Sequence, residues 1–113
     1  MTNTSFNPGQ TVATRGLHAC LTASPSFYLF TQECMIRHLR GDWGDICAHD
    51  QEVNDLALAS GQDRIVSSYK VPDSIREGFG HEAPDLAGYL EAKLWIITEW
   101  DRSYTTMLWP SEY

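Results

Sequence analysis

Apolar residues recur at a helical period over residues 24–39 and alternate from residue 64 onward, so the chain reads as helices followed by strands. Ser24 is a favourable N-cap, and Pro25 suits the first helical position. Phe27, Phe30 and Cys34 make one stripe, with Leu29, Ile36 and Leu39 extending an apolar face beside it. Arg37, His38 and Arg40 fall at the end of that helix, where positive charge suits the dipole, and Gly41 sits at the C′ position. Residues 41–45 form a turn. Asp45 is placed to cap a further helix over residues 46–60, whose apolar face uses Ile46, Val53, Leu56 and Ala57. Thr11 to Leu21 suggests a short helix, weakened by Gly16. Residues 1–10 read as a mobile tail ahead of a single domain over residues 11–113.

Three strands are expected at residues 64–71, 93–99 and 104–109, joined as a meander. Residues 93–99 carry apolar side chains on both faces, as a central strand does. Trp100-Asp101-Arg102-Ser103 has hairpin length, and Pro110 ends the last strand. Residues 73–91, punctuated by Gly78, Gly80 and Pro84, read as an inserted loop with a short helix near its end. The expected fold is α+β, with N-terminal helices packed on a three-stranded antiparallel meander. Trp95, Ile97, Phe30, Ile36 and Leu56 are expected to share one core. The helices would then cover the Trp95 and Ile97 side of the central strand. Leu94, Ile96 and Trp100 would share the other side, to be covered by the 73–91 insertion, a homodimer mate or a target protein.

At 113 residues, 42% of them hydrophobic, the chain is long enough for one core without disulfides or metal. Eight basic against fifteen acidic side chains give a formal charge of −7. That balance disfavours a phosphate-gripping surface, whereas an acidic surface suits solubility or a basic partner. Cys20, Cys34 and Cys47 form neither a disulfide framework nor a metal motif and are expected to be reduced, in a cytoplasmic protein. No apolar run is long enough to span a membrane, and the N-terminus lacks secretory signal features.

One set of segments is distinctive. It comprises Arg37-His38-Leu39-Arg40-Gly41-Asp42-Trp43-Gly44-Asp45, Asp50 with Asn54-Asp55, Ser67-Ser68-Tyr69, and Lys93-Leu94-Trp95-Ile96-Ile97-Thr98-Glu99. It continues with Asp101-Arg102-Ser103 and Thr105-Thr106-Met107-Leu108-Trp109-Pro110-Ser111-Glu112-Tyr113. This pattern resembles a family of small uncharacterised bacterial proteins labelled plasmid-related or hypothetical. The resemblance covers most of residues 35–113 and implies an accessory role on plasmids, phages or integrated elements. It carries no assigned activity. In those relatives the Ser-Tyr strand turns almost directly into the Lys-x-Trp strand, so residues 73–91 lengthen the connection in this chain.

Two clusters carry candidate chemistry. His38 beside Asp42 and Asp45, with Arg37, Arg40 and Trp43, has the ingredients of a general base with an orienting carboxylate. The same residues also suit turn, cap and core positions. Thr98, Glu99, Asp101, Arg102, Ser103, Thr105 and Thr106 concentrate polar groups on a hairpin, as a recognition rim or as turn chemistry. Glu99, Asp101 and Arg102 have the composition of an ion-pair network facing the second helix. His18, His38, His49 and His81 are scattered, so no metal is expected, and no phosphate-loop, dinucleotide or serine-nucleophile motif calls for a cofactor.

Two functional classes follow. One is an interaction protein of a mobile element that binds and inhibits a host factor or defence system. Its anchors would be Trp100, Asp101, Arg102 and Tyr104 on the hairpin, and Phe79 and Tyr89 in the insertion. The other is a small enzyme using the His38/Asp42/Asp45 or Glu99/Asp101/Arg102 set. A protein partner, with homodimerisation as an option, is expected in preference to duplex nucleic acid or a membrane. A fluorescence titration with duplex DNA at physiological salt should therefore show no binding, and sub-micromolar, salt-sensitive binding would contradict the charge argument.

Overall fold

The computed structural model describes residues 5–113. Strand β1 (Gln10–Ala13) leads into helices α1 (Arg15–Ala23), α2 (Pro25–Leu39) and α3 (Ala48–Ser60). Strand β2 (Ile65–Lys70), helix α4 (Asp73–Glu82) and a 3-10 turn at Pro84–Tyr89 follow. Strands β3 (Lys93–Thr98) and β4 (Tyr104–Leu108) complete the fold, before a 3-10 turn at Pro110–Glu112. The strands form one mixed sheet in the order β1-β4-β3-β2. The meander β2-β3-β4 is antiparallel as the alternation predicts, and β1 adds to β4 in parallel. The α+β class holds, but the sheet has four strands because residues 10–13, expected as the end of a tail and the start of a helix, extend instead.

Helices α1, α2 and α4 cover one face of the sheet. Leu17, Cys20, Phe27, Phe30, Cys34 and Phe79 meet Tyr69, Leu94, Ile96, Met107 and Trp109 there. The aromatic centre is dense: Phe27 stacks on Trp109 at 5.4 Å and meets Phe79 edge-on at 5.9 Å. The expected assignment of faces is thereby reversed. Leu94 and Ile96 are fully buried under helices, part of whose cover comes from the 73–91 segment. Trp95 and Ile97 face the opposite side, Trp95 half-buried and Ile97 buried. Of the other expected core residues, Phe30 is buried, but Ile36 is 41% and Leu56 64% exposed. The buried face of α2 runs instead through Phe27, Thr31, Cys34, Met35 and His38.

The 73–91 segment is no loop. Asp73–Glu82 is helical despite two glycines, because packing outweighs propensity there. Phe79 is fully buried, and a Cβ on Gly78 would come within 3.1 Å of the Ser26 hydroxyl, so the missing side chain lets α4 lie close to α2. The Glu82 carboxylate accepts bonds from the hydroxyls of Ser24 (2.5 Å) and Ser26 (2.6 Å) and from the Ser26 N–H (3.0 Å). Glu112 does the same for α1, accepting from the Gly16 N–H and the Thr14 hydroxyl. Distant carboxylates thus satisfy two helix N-termini. Nor is the N-terminal segment loose from Ser5 onward. Ser5 N–H donates to the Leu39 carbonyl at 2.7 Å, and Phe6 packs on Trp43 and His38. Met1–Thr4, the rest of the expected tail, lie outside the described residues.

The outer edge of β2 is closed by side chains and backbone of the preceding segment. Asn54 on α3 donates its amide to the Val66 carbonyl (2.7 Å) and accepts from the Val66 N–H (3.2 Å). Trp43 C=O accepts from Ser68 N–H, Asp45 N–H donates to Ser68 C=O, and the Asp45 carboxylate accepts from Lys70 N–H. Asp45 therefore caps a strand edge, and Cys47 rather than Asp45 is the N-cap residue of α3. Because Asn54 is buried, Asn54→Leu removes both partners from Val66 without leaving a cavity. It should lower stability by about 1–3 kcal/mol. A chemical-denaturation midpoint unchanged by that substitution would contradict the edge-closing role.

Candidate functional site

The Arg37–Asp45 segment folds back on itself as a compact staple. Arg37 grips Asp42 through two parallel bonds, Nε to Oδ2 at 2.7 Å and Nη2 to Oδ1 at 3.1 Å. The guanidinium beside it holds the Asp42 carboxyl below its ordinary range. The same guanidinium lies 4.9 Å from the centre of the Tyr69 ring, whose hydroxyl donates to the Asp42 carbonyl at 2.7 Å. Gly44 has φ +73°, and a Cβ there would come within 2.1 Å of the Ser68 carbonyl, so only glycine lets this turn reach the β2 edge. Trp43 is buried and donates its indole N–H to Asp55 at 3.0 Å.

His38 is apart from Asp42 and Asp45. It is fully buried on the inner face of α2, flanked edge-on by the rings of Phe6 and Trp43. Its two nitrogens join a line of hydroxyls: Ser67 at Nδ1 (2.6 Å) and Thr98 at Nε2 (2.8 Å), then Thr105 (2.7 Å), and finally the Pro8 carbonyl (2.7 Å). The last member fixes the direction of every bond, since a carbonyl only accepts. Thr105 donates to Pro8 and so accepts from Thr98. Thr98 therefore accepts from His38 Nε2–H, which leaves Nδ1 to accept from Ser67. Burial pushes the imidazole pKa down to about 3, so it is neutral at physiological pH. A neutral, fully partnered imidazole with no solvent path is a structural link between α2, β2, β3, β4 and the N-terminal segment. The periodicity of α2 contains the signal for it: His38 lies four residues beyond Cys34 and eleven beyond Phe27, on the buried stripe.

The hairpin cluster is also engaged internally. Asp101 accepts from the N–H and hydroxyl of Ser103, and Arg102 takes a left-handed φ of 60°. The Arg102 guanidinium donates to the carbonyls of Asp63 (2.6 Å), Ala57 (3.1 Å) and Glu99 (3.1 Å). It ties the hairpin to the C-terminal end of α3, where a cation complements the helix dipole. The expected ion-pair network is absent among the described residues, where Arg37–Asp42 is the one ion pair. Arg102 selects carbonyls because the turn places them closer than Glu99 or Asp101. Trp100 (63% exposed), Tyr104 and Tyr89 are solvent-facing, but Phe79 is a core residue and is withdrawn from any binding surface. Tyr89 lines a cavity of about 530 Å³ with Arg15, Leu86 and Trp109, away from the hairpin. Cys34 is pushed up to about 12 and Cys20 upward by burial, which leaves both as inert thiols.

The sheet face opposite α1, α2 and α4 is partly open: Ile97 and Ser68 on it are buried, Val66 and Trp95 half-buried, and Lys70 and Lys93 exposed. Register places Val66, Ser68 and Lys70 of β2 beside Ile97, Trp95 and Lys93 of β3 on that face. Together with Ile46, Cys47 and Asp50 around the start of α3, and with Arg64 and Tyr113, they line a trough of about 490 Å³. Tyr113 meets Trp95 edge-on at 5.8 Å, and Arg64 lies 5.6 Å from the centre of the Tyr113 ring. Sequence reasoning assigned this face to the interior, so it missed Trp95, Arg64 and Lys93 as surface residues. Comparison with family models, curated proteins and solved structures gives no match. No helix of the described residues is long and apolar enough to cross a membrane, and no three metal-ligating side chains converge there.

The buried imidazole makes stability depend on pH. The folded His38 pKa is depressed from 6.5 to about 3, so the unfolded state alone takes up the proton between those values. The stabilisation is complete above pH 6.5 and is lost as pH falls, at about 1.4 kcal/mol per unit. Unfolding free energy should drop by about 2 kcal/mol between pH 6.5 and 5. The lowered carboxylate of Asp42 acts in the same sense, but below its ordinary value of 3.8. The His38→Gln variant should lose most of the slope in that window. An equal slope in both proteins, measured by urea denaturation across pH, would show that His38 is not the source.

Proposed function

We propose that the chain is an accessory protein of a bacterial mobile element that acts in the cytoplasm by binding another protein, with inhibition of a host factor or defence system as the consequence. The single observation that carries this reading is the contrast between the two sides of the sheet. Many polar residues of the distinctive segments have internal partners: Arg37 with Asp42, His38 with Ser67 and Thr98, Trp43 with Asp55, Asp45 with the Lys70 N–H, Asn54 with Val66, Arg102 with the Ala57 carbonyl of α3. What these bonds build is a rigid support, and what the support presents is a partly open sheet face with the half-buried Val66 and Trp95 in its floor. A scaffold of this kind suits recognition, and the acidity and small size of the chain accord with it.

The enzymatic alternative needs His38, Asp42 and Asp45, or Glu99, Asp101 and Arg102, to converge in a cavity. His38 is buried away from both carboxylates, and the hairpin groups turn into their own backbone, so neither set receives support from geometry. The test is affinity capture after chemical cross-linking in the bacterium that carries the element. A stoichiometric protein should be recovered, and its complex should re-form from purified components. Recovery of none, or turnover of a substrate by the purified chain, would overturn the reading.

A further inference from the structure

The distribution of positive charge narrows the partner. The chain has two lysines, Lys70 and Lys93, and they lie directly opposite each other across the antiparallel β2–β3 pair, both exposed and on the partly open face. Like charges facing each other across a strand pair oppose pairing. Neither ammonium forms an ion pair among the described residues, although fifteen carboxylates are present in the chain. Arg64 lines the same trough, so three cations gather on one face of a chain with a formal charge of −7. Two carboxylates, Asp45 and Asp50, lie on the α3 side, and the first already accepts the Lys70 N–H.

Two further features point the same way. The Ser68 hydroxyl, on a residue 6% exposed that lines the trough, has no hydrogen-bond partner. The N-terminal end of α3 abuts the trough without a side-chain cap, whereas Glu112 and Glu82 serve α1 and α2. Between these polar groups the floor is apolar, made by Ile46, Val66, Trp95 and Ile97. The β2 edge is closed by Asn54, Trp43 and Asp45, so an occupant cannot extend the sheet there and must lie across its face.

Resting on the binding reading above, we propose that the partly open face holds an acidic segment of the partner protein. An apolar side chain of that segment sits on Trp95 and Val66, and its carboxylates meet Lys70, Lys93 and Arg64. A nucleic acid carries a phosphate at every nucleotide and would set far more negative charge against a chain of formal charge −7 than a few carboxylates placed at the three cations, and a second copy would bring its own lysines into opposition.

The experiment is a selection of random dodecapeptides displayed on phage against the purified chain, followed by fluorescence anisotropy of the enriched peptides. Enriched sequences should carry Asp or Glu around an aromatic or aliphatic residue. Their affinity should fall with added salt and drop about ten-fold in the Lys70→Glu/Lys93→Glu protein. The Lys70→Arg/Lys93→Arg protein should retain it, and Arg40→Glu, a charge reversal on another surface, should leave it unchanged. Both lysines are exposed and unpaired, so the reversal is compatible with folding, which circular dichroism verifies. Enrichment of peptides without acidic residues, or of peptides indifferent to the lysine reversal, would overturn the proposed face and leave the binding reading standing. A selection that enriches nothing would overturn both. Tighter binding of a fluorescent oligothymidylate through the same lysines would replace the peptide with nucleic acid. Micromolar self-association abolished by the lysine reversal, read by analytical ultracentrifugation, would replace it with a second copy.

Discussion

The fold turns on burying a histidine. Placing a neutral imidazole among Phe6 and Trp43 is tolerable only because both nitrogens keep hydrogen bonds, to Ser67 on β2 and Thr98 on β3, and the line continues through Thr105 on β4 to the N-terminal segment. Ser67, Thr98 and Thr105 occupy inward positions on adjacent strands, where apolar residues would otherwise sit. The Pro8 carbonyl terminates the line and sets the direction of every proton in it. The N-terminal segment is therefore held to the sheet by a polar contact as much as by packing. The parallel strand β1 starts two residues beyond that contact.

A second constraint is the edge of β2. An unpaired strand edge templates association with other chains, and this one is closed by Asn54, Trp43 and Asp45. The turn that does this needs Gly44, and it is pinned by the Arg37–Asp42 pair and by Tyr69. The polar cluster, which in the sequence suits either a general base or turn, cap and core positions, is thus an architectural joint. Its effect is to close the β2 edge to strand addition, while Trp95, Lys70 and Lys93 lie on the adjoining face.

Long-range carboxylates complete the helical layer. Glu82 and Glu112 supply acceptors at the starts of α2 and α1 from distances of 56 and 96 residues along the chain. Arg102 does the converse at the end of α3. These contacts couple the helices to the C-terminal half of the sequence and explain why so much of the acidic complement is internal bonding as well as surface charge.

Local signals alone determined the span of α2, with Ser24 and Pro25 at its start, the three meander strands, and the hairpin at residues 100–103. Each rests on periodicity or turn chemistry within a few residues. The tertiary structure decided which face of β3 is covered, because Leu94/Ile96 and Trp95/Ile97 are equally apolar and alternation defines two faces without ranking them. It decided that residues 73–82 are helical, because Phe79 has a cavity to fill and Gly78 permits contact with Ser26. It decided that residues 10–13 extend, because Ser103 and Met107 offer carbonyls to Gln10 and Thr14. The role of His38 was half-legible: its place on the buried stripe is a property of the sequence. Its neutrality, and its separation from Asp42 and Asp45, follow from partners 29 and 60 residues away that only the assembled sheet brings to it.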